Sequence, residues 1–309
     1  MAKLTFLGTA DQIPSANRNH TAMLLSYDGE NILVDCGEGT QRQFRKAKLN
    51  PGKVTRILIT HWHGDHVLGL PGLLQTLALS GYKKTLYIYG PKRTKKFLNE
   101  MIELFNFKRE YKIVVKEVGT ARCTPNCEVK GQRFFENKDF YLEAQSMEHG
   151  IPSNAYSFVK KGKVRIDKKK LKKAKLPEGP LLSKIKQGKD ISYKGKKYKA
   201  KDLTFKTDEF KVSFVLDTED NKKIIPFVKN ADALVSECSF AHALASHAKD
   251  HKHLTSNQVG KIAKTAKVKK LFLTHISQRY ERDLNEILKE VKKNFKNAFL
   301  AKELHTVEI

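Results

Sequence analysis

Three histidines and an aspartate, His61, His63, Asp65 and His66, fall within six residues of the sequence. On an extended backbone alternate side chains point the same way. His61 and His63 can therefore share one metal ion, while Asp65 and His66, one step of register away, face a neighbouring one. Imidazole combined with carboxylate suits Zn(II), with Mn(II) and Fe(II) as alternatives. Three more donors stand where apolar runs stop: His149 after YLEAQSME, Asp217 after VSFVL and His275 after LFLT. Taken singly, a strand-end Asp can cap a turn and a His can be satisfied by a carbonyl. Following HxHxDH in this order, they read as donors gathered at one sheet edge.

The elements that must carry these residues alternate along the chain. Leu4 to Leu7, Thr21 to Ser26 and Asn31 to Asp35 read as strands bounded by Gly, Asn or Asp. Val54 to Thr60 is a further strand that runs into HWHGDH, and Pro71 with LLQTLAL predicts a helix after it. A strand over Leu86 to Tyr89, a helix over Thr94 to Phe105, and strands near Tyr111 to Val118 and Phe140 to Ser146 follow, and after Tyr156 to Val159 the composition changes. Past residue 210 the strands Lys211 to Leu216, Ala231 to Glu237 and KLFLT alternate with two helices. The first opens on a capping box of Thr255 and Gln258 and the second spans Glu281 to Phe295, with a short strand closing the chain. The pattern is mixed α/β in one domain over residues 1–309.

Composition narrows the class. The 309 residues include 59 Lys+Arg against 33 Asp+Glu, a net charge of +26, with 40% hydrophobic residues. Such a chain buries a core, which excludes global disorder. No apolar run reaches the roughly 18 residues that span a bilayer, and MAKLTFLG lacks the apolar stretch of a signal peptide, so no membrane and a cytoplasmic location are expected. Four cysteines are too few for a disulfide scaffold. Cys123 and Cys127 read as flanking a turn, without the second pair that a zinc ribbon needs. The charge is local: residues 160–201 hold 18 Lys+Arg and three acids, a net +15 in 42 residues. This segment has few apolar residues for a main core and reads as an inserted arm for a polyanionic partner, nucleic acid above all.

The motifs resemble the metallo-β-lactamase superfamily and, within it, the ribonuclease Z family. The likeness covers nearly the whole chain. GTADQIPSANRN is similar to the family's N-terminal loop, and ILVDCGEGTQRQ, THWHGDHVLGLPGLL, PEGPLLSKIKQG and LTHISQRY are similar to its later stretches. HxHxDH is shared with many hydrolases. DCGEGTQ, the insertion bearing Gly179 and Pro180, and HISQRY are particular to enzymes of tRNA 3′ processing.

The resemblance implies an αββα sandwich with two zinc ions at one edge. His61, His63 and His149 would bind one, Asp65, His66 and His275 the other, and Asp217 would bridge them, while Asp35 supports the loop. Asp65 would orient the attacking water, and His253 in DHKHLTS would protonate the leaving ribose 3′-oxygen, oriented by Glu237. The family usually shows His-Glu-Ala-Thr where this chain has Ser236, Glu237, Cys238 and Ser239. Arg18, Asn19 and Arg279 are expected near the scissile phosphate, and the arm, with Gly179 and Pro180, on the body of precursor tRNA. A homodimer is implied as well. The expected activity is a zinc-dependent cut that leaves a 3′-hydroxyl on the tRNA and a 5′-phosphate on the trailer. Competing readings are a phosphodiesterase of small substrates on the same fold and a non-catalytic RNA binder. The dense arm argues against the first and the complete donor set against the second. Trp62 is expected to pack rather than stack on bases, Gly64 to serve the tight backbone between donors, and most of His242, His247 and His251 to be solvated.

Overall fold

The computed structural model describes residues 2–106, 108–119, 131–177 and 179–309. Cys123 and Cys127, discussed above, and Glu178, one of the three acids of the Lys-rich segment, lie outside the described residues. The chain divides into two compact units. One comprises Met1–Phe135, Leu142–Phe158 and Lys211–Ile309, and the other Glu136–Tyr141 and Val159–Phe210.

The first unit is built on two seven-stranded sheets. In the first, Lys3–Gly8, Ala22–Tyr27 and Glu30–Val34 run antiparallel in sequence order with Thr306–Glu308 at the edge, and Arg56–Leu58, Leu86–Gly90 and Ile113–Glu117 continue in parallel. In the second, Phe210–Val215, Ala233–Glu237, Lys270–Thr274 and Ala298–Leu300 lie parallel, and Ser153–Lys160, Phe140–Met147 and Gln132–Glu136 extend it on the other side. Alternation along the strands sorts the side chains. One face of the first sheet sends Leu24, Leu33, Ile57 and Ile88 into a cluster with Leu70, Leu73, Leu74 and Leu77, the buried stripe of the helix Leu70–Leu79. The second sheet likewise buries Val215, Leu234, Leu271 and Leu273 against Val259, Ile262 and Ala263 of the helix Ser256–Thr265 and Ile287 and Val291 of Asn285–Asn294. The other faces meet each other. Phe6 packs on Phe272 with ring centroids 5.6 Å apart, and Tyr27 on Phe158 at 5.3 Å. The layers are thus helix, sheet, sheet, helix, the αββα order expected. Among the described residues no helix is long and apolar enough to cross a membrane.

The capping box is present as read, Gln258 N donating to Thr255 Oγ1 at 3.4 Å and Thr255 N to Gln258 Oε1 at 2.9 Å. The last helix starts later than its periodicity suggests. Glu281 is drawn toward Ser15 and Arg18, and Asp283 caps Asn285, so a 3-10 turn over Gln278–Tyr280 precedes a helix of Asn285–Asn294.

The second unit contains the Lys-rich segment. Val164–Ile166 pairs antiparallel with Thr204–Lys206 and Ile191–Tyr193 with Lys196–Tyr198, alongside helices Lys168–Lys173, Pro180–Lys186 and Ala200–Leu203. Its sparse apolar residues close a core of their own, from Leu171, Leu176, Ile185, Ile191, Ala200 and Leu203. In KKKLKK only Leu171 is buried, and Asp167 caps the helix through Lys169 N and Lys170 N. Gly179 and Pro180 are exposed at the start of Pro180–Lys186.

Candidate metal centre and cleft

Parallel register brings the chemistry to one edge. Val34 is level with Leu58, and Val215 with Ser236, which is level with Leu273. The residues that follow, Asp35, Thr60 and His61 in one sheet and Asp217, Glu237 and His275 in the other, therefore emerge from carboxyl strand ends, the usual place for sites in such sheets. Alternation on an extended backbone accounts for His61 and His63 but not for their neighbours. After His63 the chain turns into the short helix Gly64–Val67, and that turn swings Asp65 and His66 away from the first pair.

Two donor sets share Asp217, each with its ligand atoms within 4.8 Å of one another, His61, His63, His149 and Asp217, and Asp65, His66, Asp217 and His275, and a third group of Glu237, His253 and His275 adjoins them through His275. In the first, His63 Nδ1 lies 3.0 Å from His61 Nε2 and 3.2 Å from His149 Nε2. In the second, His275 Nε2 lies 3.3 Å from His66 Nε2 and 3.2 Å from Asp65 Oδ2. Asp217 belongs to both, with Oδ2 3.5 Å from His61 and Oδ1 3.4 Å from His66. Its Oδ1 is buried without a hydrogen-bond partner among the described residues. A carboxylate oxygen in that state, ringed by imidazole nitrogens too close together to all carry protons, has the chemistry of a cation ligand. The donors fit metal ions.

The electrostatics agree. Burial opposes ionisation of Asp217 and Asp65, yet histidine charges, His275 and His66 foremost for Asp217 and His66 for Asp65, hold both carboxyls well below the usual range. Burial, with the charge of His66, pushes His61 well below the ordinary imidazole value, leaving a neutral ring with a lone pair to give.

The opposite nitrogens of these rings are held by a surrounding shell, which fixes their orientation. His66 Nδ1 is 2.7 Å from Asp35 Oδ2, and Asp35 also accepts from the Thr60 amide and hydroxyl at 2.7 Å each. Asp35 thus supports the histidine-bearing loop, as expected of it, through Thr60 and His66. His149 Nδ1 faces the Lys252 carbonyl at 3.2 Å, and His275 Nδ1 faces Ser239 Oγ at 3.1 Å.

Glu237 and His253 sit beside the donors. Glu237 accepts from Thr218 N at 2.7 Å, Ser239 Oγ at 2.7 Å and Leu254 N at 3.2 Å, and lies 3.0 Å from His253 Nδ1. With its lone pairs engaged it is a scaffold and not a ligand. Burial works against charge on His253, but the Glu237 carboxylate outweighs it and raises the ring to about 9. Where the family's pattern has a threonine, Ser239 supplies the same kind of hydroxyl, and it joins Glu237 to His275.

The donors floor a cleft of about 390 Å³ whose walls include Ile13, Phe240, His247, His251, His253 and Arg279. Arg279 is exposed there and lies over the Phe240 ring, 5.4 Å from its centroid. Arg18 is a correction to the sequence reading. It is only 6% exposed, with Nε 2.6 Å from Glu281 Oε2 and Nη1 donating to the Ile276 carbonyl at 2.7 Å, so it braces the loop from inside. Asn19 likewise donates Nδ2 to the Glu38 carbonyl at 2.6 Å. His247 is half-buried against Phe240 and so not simply solvated, whereas His242 is exposed. Trp62 packs on Phe97 and donates to Thr94 Oγ1 at 2.9 Å, the packing role expected of it. Sequence reasoning missed Glu303, which accepts from Thr9 N, Thr9 Oγ1, Asn19 N and Gln43 Nε2 and fastens the base of the N-terminal loop. In the tail AKELH it reads as one more surface charge.

Comparison with known proteins fits this geometry. Residues 2–163 match the family model described as Anti-Pycsar protein Apyc1. Ribonuclease Z of Methanosarcina acetivorans is 34% identical over 311 residues, covering 100% of this chain and 98% of its own. The crystal structure of human tRNase Z, short form (ELAC1), superposes with a TM-score of 0.72 at 27% identity over 99% of each chain. The metallo-β-lactamase fold protein YhfI from Bacillus subtilis, at 0.68 and 21% identity over 100% of this chain and 99% of its own, shares the fold. With residues 2–163 falling under the Apyc1 family model and its full length aligned to ribonuclease Z, the chain belongs to the ribonuclease Z family of the metallo-β-lactamase fold.

Proposed function

We propose that this chain is a zinc-dependent endoribonuclease that removes the 3′ trailer from precursor tRNA, leaving a 3′-hydroxyl on the tRNA and a 5′-phosphate on the trailer. The observation that carries this is the pair of donor sets sharing Asp217 on the floor of an open cleft, in a chain aligned end to end with ribonuclease Z. His61, His63 and His149 would hold one zinc ion, Asp65, His66 and His275 the second, with Asp217 between them. Bound there, two such ions supply a nucleophilic water at neutral pH and offset the charge that builds on the phosphodiester.

The chain's own groups do the rest. Asp65 orients the attacking water. His253, kept protonated by Glu237, donates its proton to the departing ribose 3′-oxygen as general acid, an effect of roughly 10²–10⁴ in rate. Arg279, on the cleft wall, meets the phosphate. The Lys-rich residues 160–201 form an arm, with Gly179 and Pro180 at its exposed helix start, that grips backbone phosphates of the folded tRNA and reads shape rather than bases. The reading carries with it a homodimer, in which the arm of one subunit serves the cleft of the other, acting in the cytoplasm. Cleavage of a structured precursor tRNA, an unstructured RNA and bis-p-nitrophenyl phosphate, measured side by side, tests it. Strong preference for the structured precursor is expected, and equal rates per phosphodiester would make the chain a general phosphodiesterase.

A further inference from the structure

Hydrolysis of a phosphodiester displaces the leaving oxygen in line with the attack, so the proton donor marks the side of the phosphate from which the leaving nucleoside departs. If His253 donates that proton, the wall next to it faces the nucleoside whose 3′-oxygen leaves, the last residue of the mature RNA. The opposite end of the cleft then takes the trailer. This step rests on the proposed function above.

The wall beside His253 is aromatic. The Phe240 ring lies 6.0 Å from that of His253 and 5.0 Å from that of His247, edge to face at 84°. His247 in turn packs on His251 at 4.3 Å. Phe240 is 7% exposed and anchors the group, with Arg279 over its ring, so His247 is presented to the cleft from a fixed base. None of these rings is needed by the donor sets. His247 lies on a short helix of its own, Ala245–Asp250, that carries none of the donor residues. Burial, then the charges of His251 and Arg279, push its imidazole below the ordinary value, which favours the neutral ring.

We propose that His247, backed by Phe240, is a stacking subsite for the base of the ribonucleoside that bears the leaving 3′-oxygen. Stacking on an aromatic side chain tolerates every base, which suits an enzyme whose substrates differ in sequence at the cut. By holding the base, the subsite fixes the sugar and aims its 3′-oxygen at His253.

The test uses the full-length, metal-loaded chain and synthetic precursor tRNAs that lack a base at one position only, either the nucleotide before the cut or the one after it. Stacking is lost by His247→Ala, and kcat/KM on the intact precursor should fall about tenfold. Wild type should lose about as much on the precursor lacking the base before the cut, and His247→Ala should lose nothing further on it. On the precursor lacking the base after the cut the two losses should multiply. His247→Phe, which keeps the π-face and drops the ring nitrogens, should restore the rate. The inference is overturned if His247→Ala matches wild type, if its loss disappears with the base after the cut, or if His247→Phe is as impaired as the alanine. A wild-type chain that leaves every precursor intact refutes the proposed function itself, and this inference with it.

Discussion

Replacing Glu303 should damage the metal centre from the far end of the chain. Its Oε1 accepts from Thr9 N at 2.8 Å, Asn19 N at 3.0 Å and Thr9 Oγ1 at 3.1 Å, and Oε2 accepts from Gln43 Nε2 at 2.6 Å. Thr9 in turn accepts the His275 amide at 3.0 Å through its carbonyl, and His275 sits at a φ of 52°, a conformation a side-chain-bearing residue keeps only when its surroundings enforce it. In Glu303→Gln one oxygen can still serve Thr9 and Asn19, but the new NH2 then opposes that of Gln43. Gln43 cannot flip, because its Nε2 also donates to the Leu7 carbonyl at 2.7 Å. Burial raises the Glu303 carboxyl to about 7, so above that pH one charged hydrogen bond is lost and two donors are left facing, a cost of about 1–3 kcal/mol. Glu303→Ala strips two main-chain amides of their acceptor, for about 2–6 kcal/mol at roughly 1–3 each. Urea unfolding measures these costs, and amide exchange in the metal-free protein locates them. Exchange at Thr9, Asn19 and His275 should quicken at least tenfold while Leu271 to Leu273 stay protected. A variant within about 0.5 kcal/mol of wild type, the range of an ordinary surface change, or exchange that quickens evenly across the sheet, would refute the clamp.

Other expectations follow from the same geometry. His253→Ala should keep its metals and bind precursor tRNA while cutting roughly 10²–10⁴ times more slowly. A precursor with sulfur in place of the bridging 3′-oxygen, which leaves without a proton, should largely rescue it, and an equal defect on both substrates would make His253 a positioning group. Deleting residues 163–199 should raise KM for precursor tRNA and flatten the salt dependence of binding while bis-p-nitrophenyl phosphate is still hydrolysed, whereas unchanged affinity at moderate salt would remove the arm from recognition. In the metal-free chain His253 titrates near 9 against 6.5 for a free imidazole, so folding favours its protonated form. The stability this contributes is fully present below pH 6.5 and is lost as the pH rises through about 9. NMR titration should show that value falling in Glu237→Gln, and an unmoved value would assign the shift to another group. His63→Ala should lose metal and activity together, as elemental analysis and assay would show.

Much of the site was legible because strand ends announce themselves. His149, Asp217 and His275 each close an apolar run, and parallel register does the rest. The split of HWHGDH into two donor sets was readable, though its cause is the turn at Gly64 and not strand alternation alone. Arg18 was misplaced because a basic residue in a loop looks the same in sequence whether it reaches for phosphate or, as here, for Glu281, which is 263 residues away. Glu303 gave no signal for the same reason: its partners are at the opposite end of the chain. The Lys-rich segment hid its own core because six small or aliphatic residues among so many lysines show no long period.

Mapping the ends of the RNA cut by the metal-loaded chain, with a chelator-treated control, tests the central claim most directly. The account predicts one cut at the 3′ boundary of the tRNA, a 3′-hydroxyl on the tRNA, a 5′-phosphate on the trailer, about two metal ions per chain in the active protein, and no cut after chelation. A 2′,3′-cyclic phosphate at the new end, or cutting that survives removal of the metal, would contradict it.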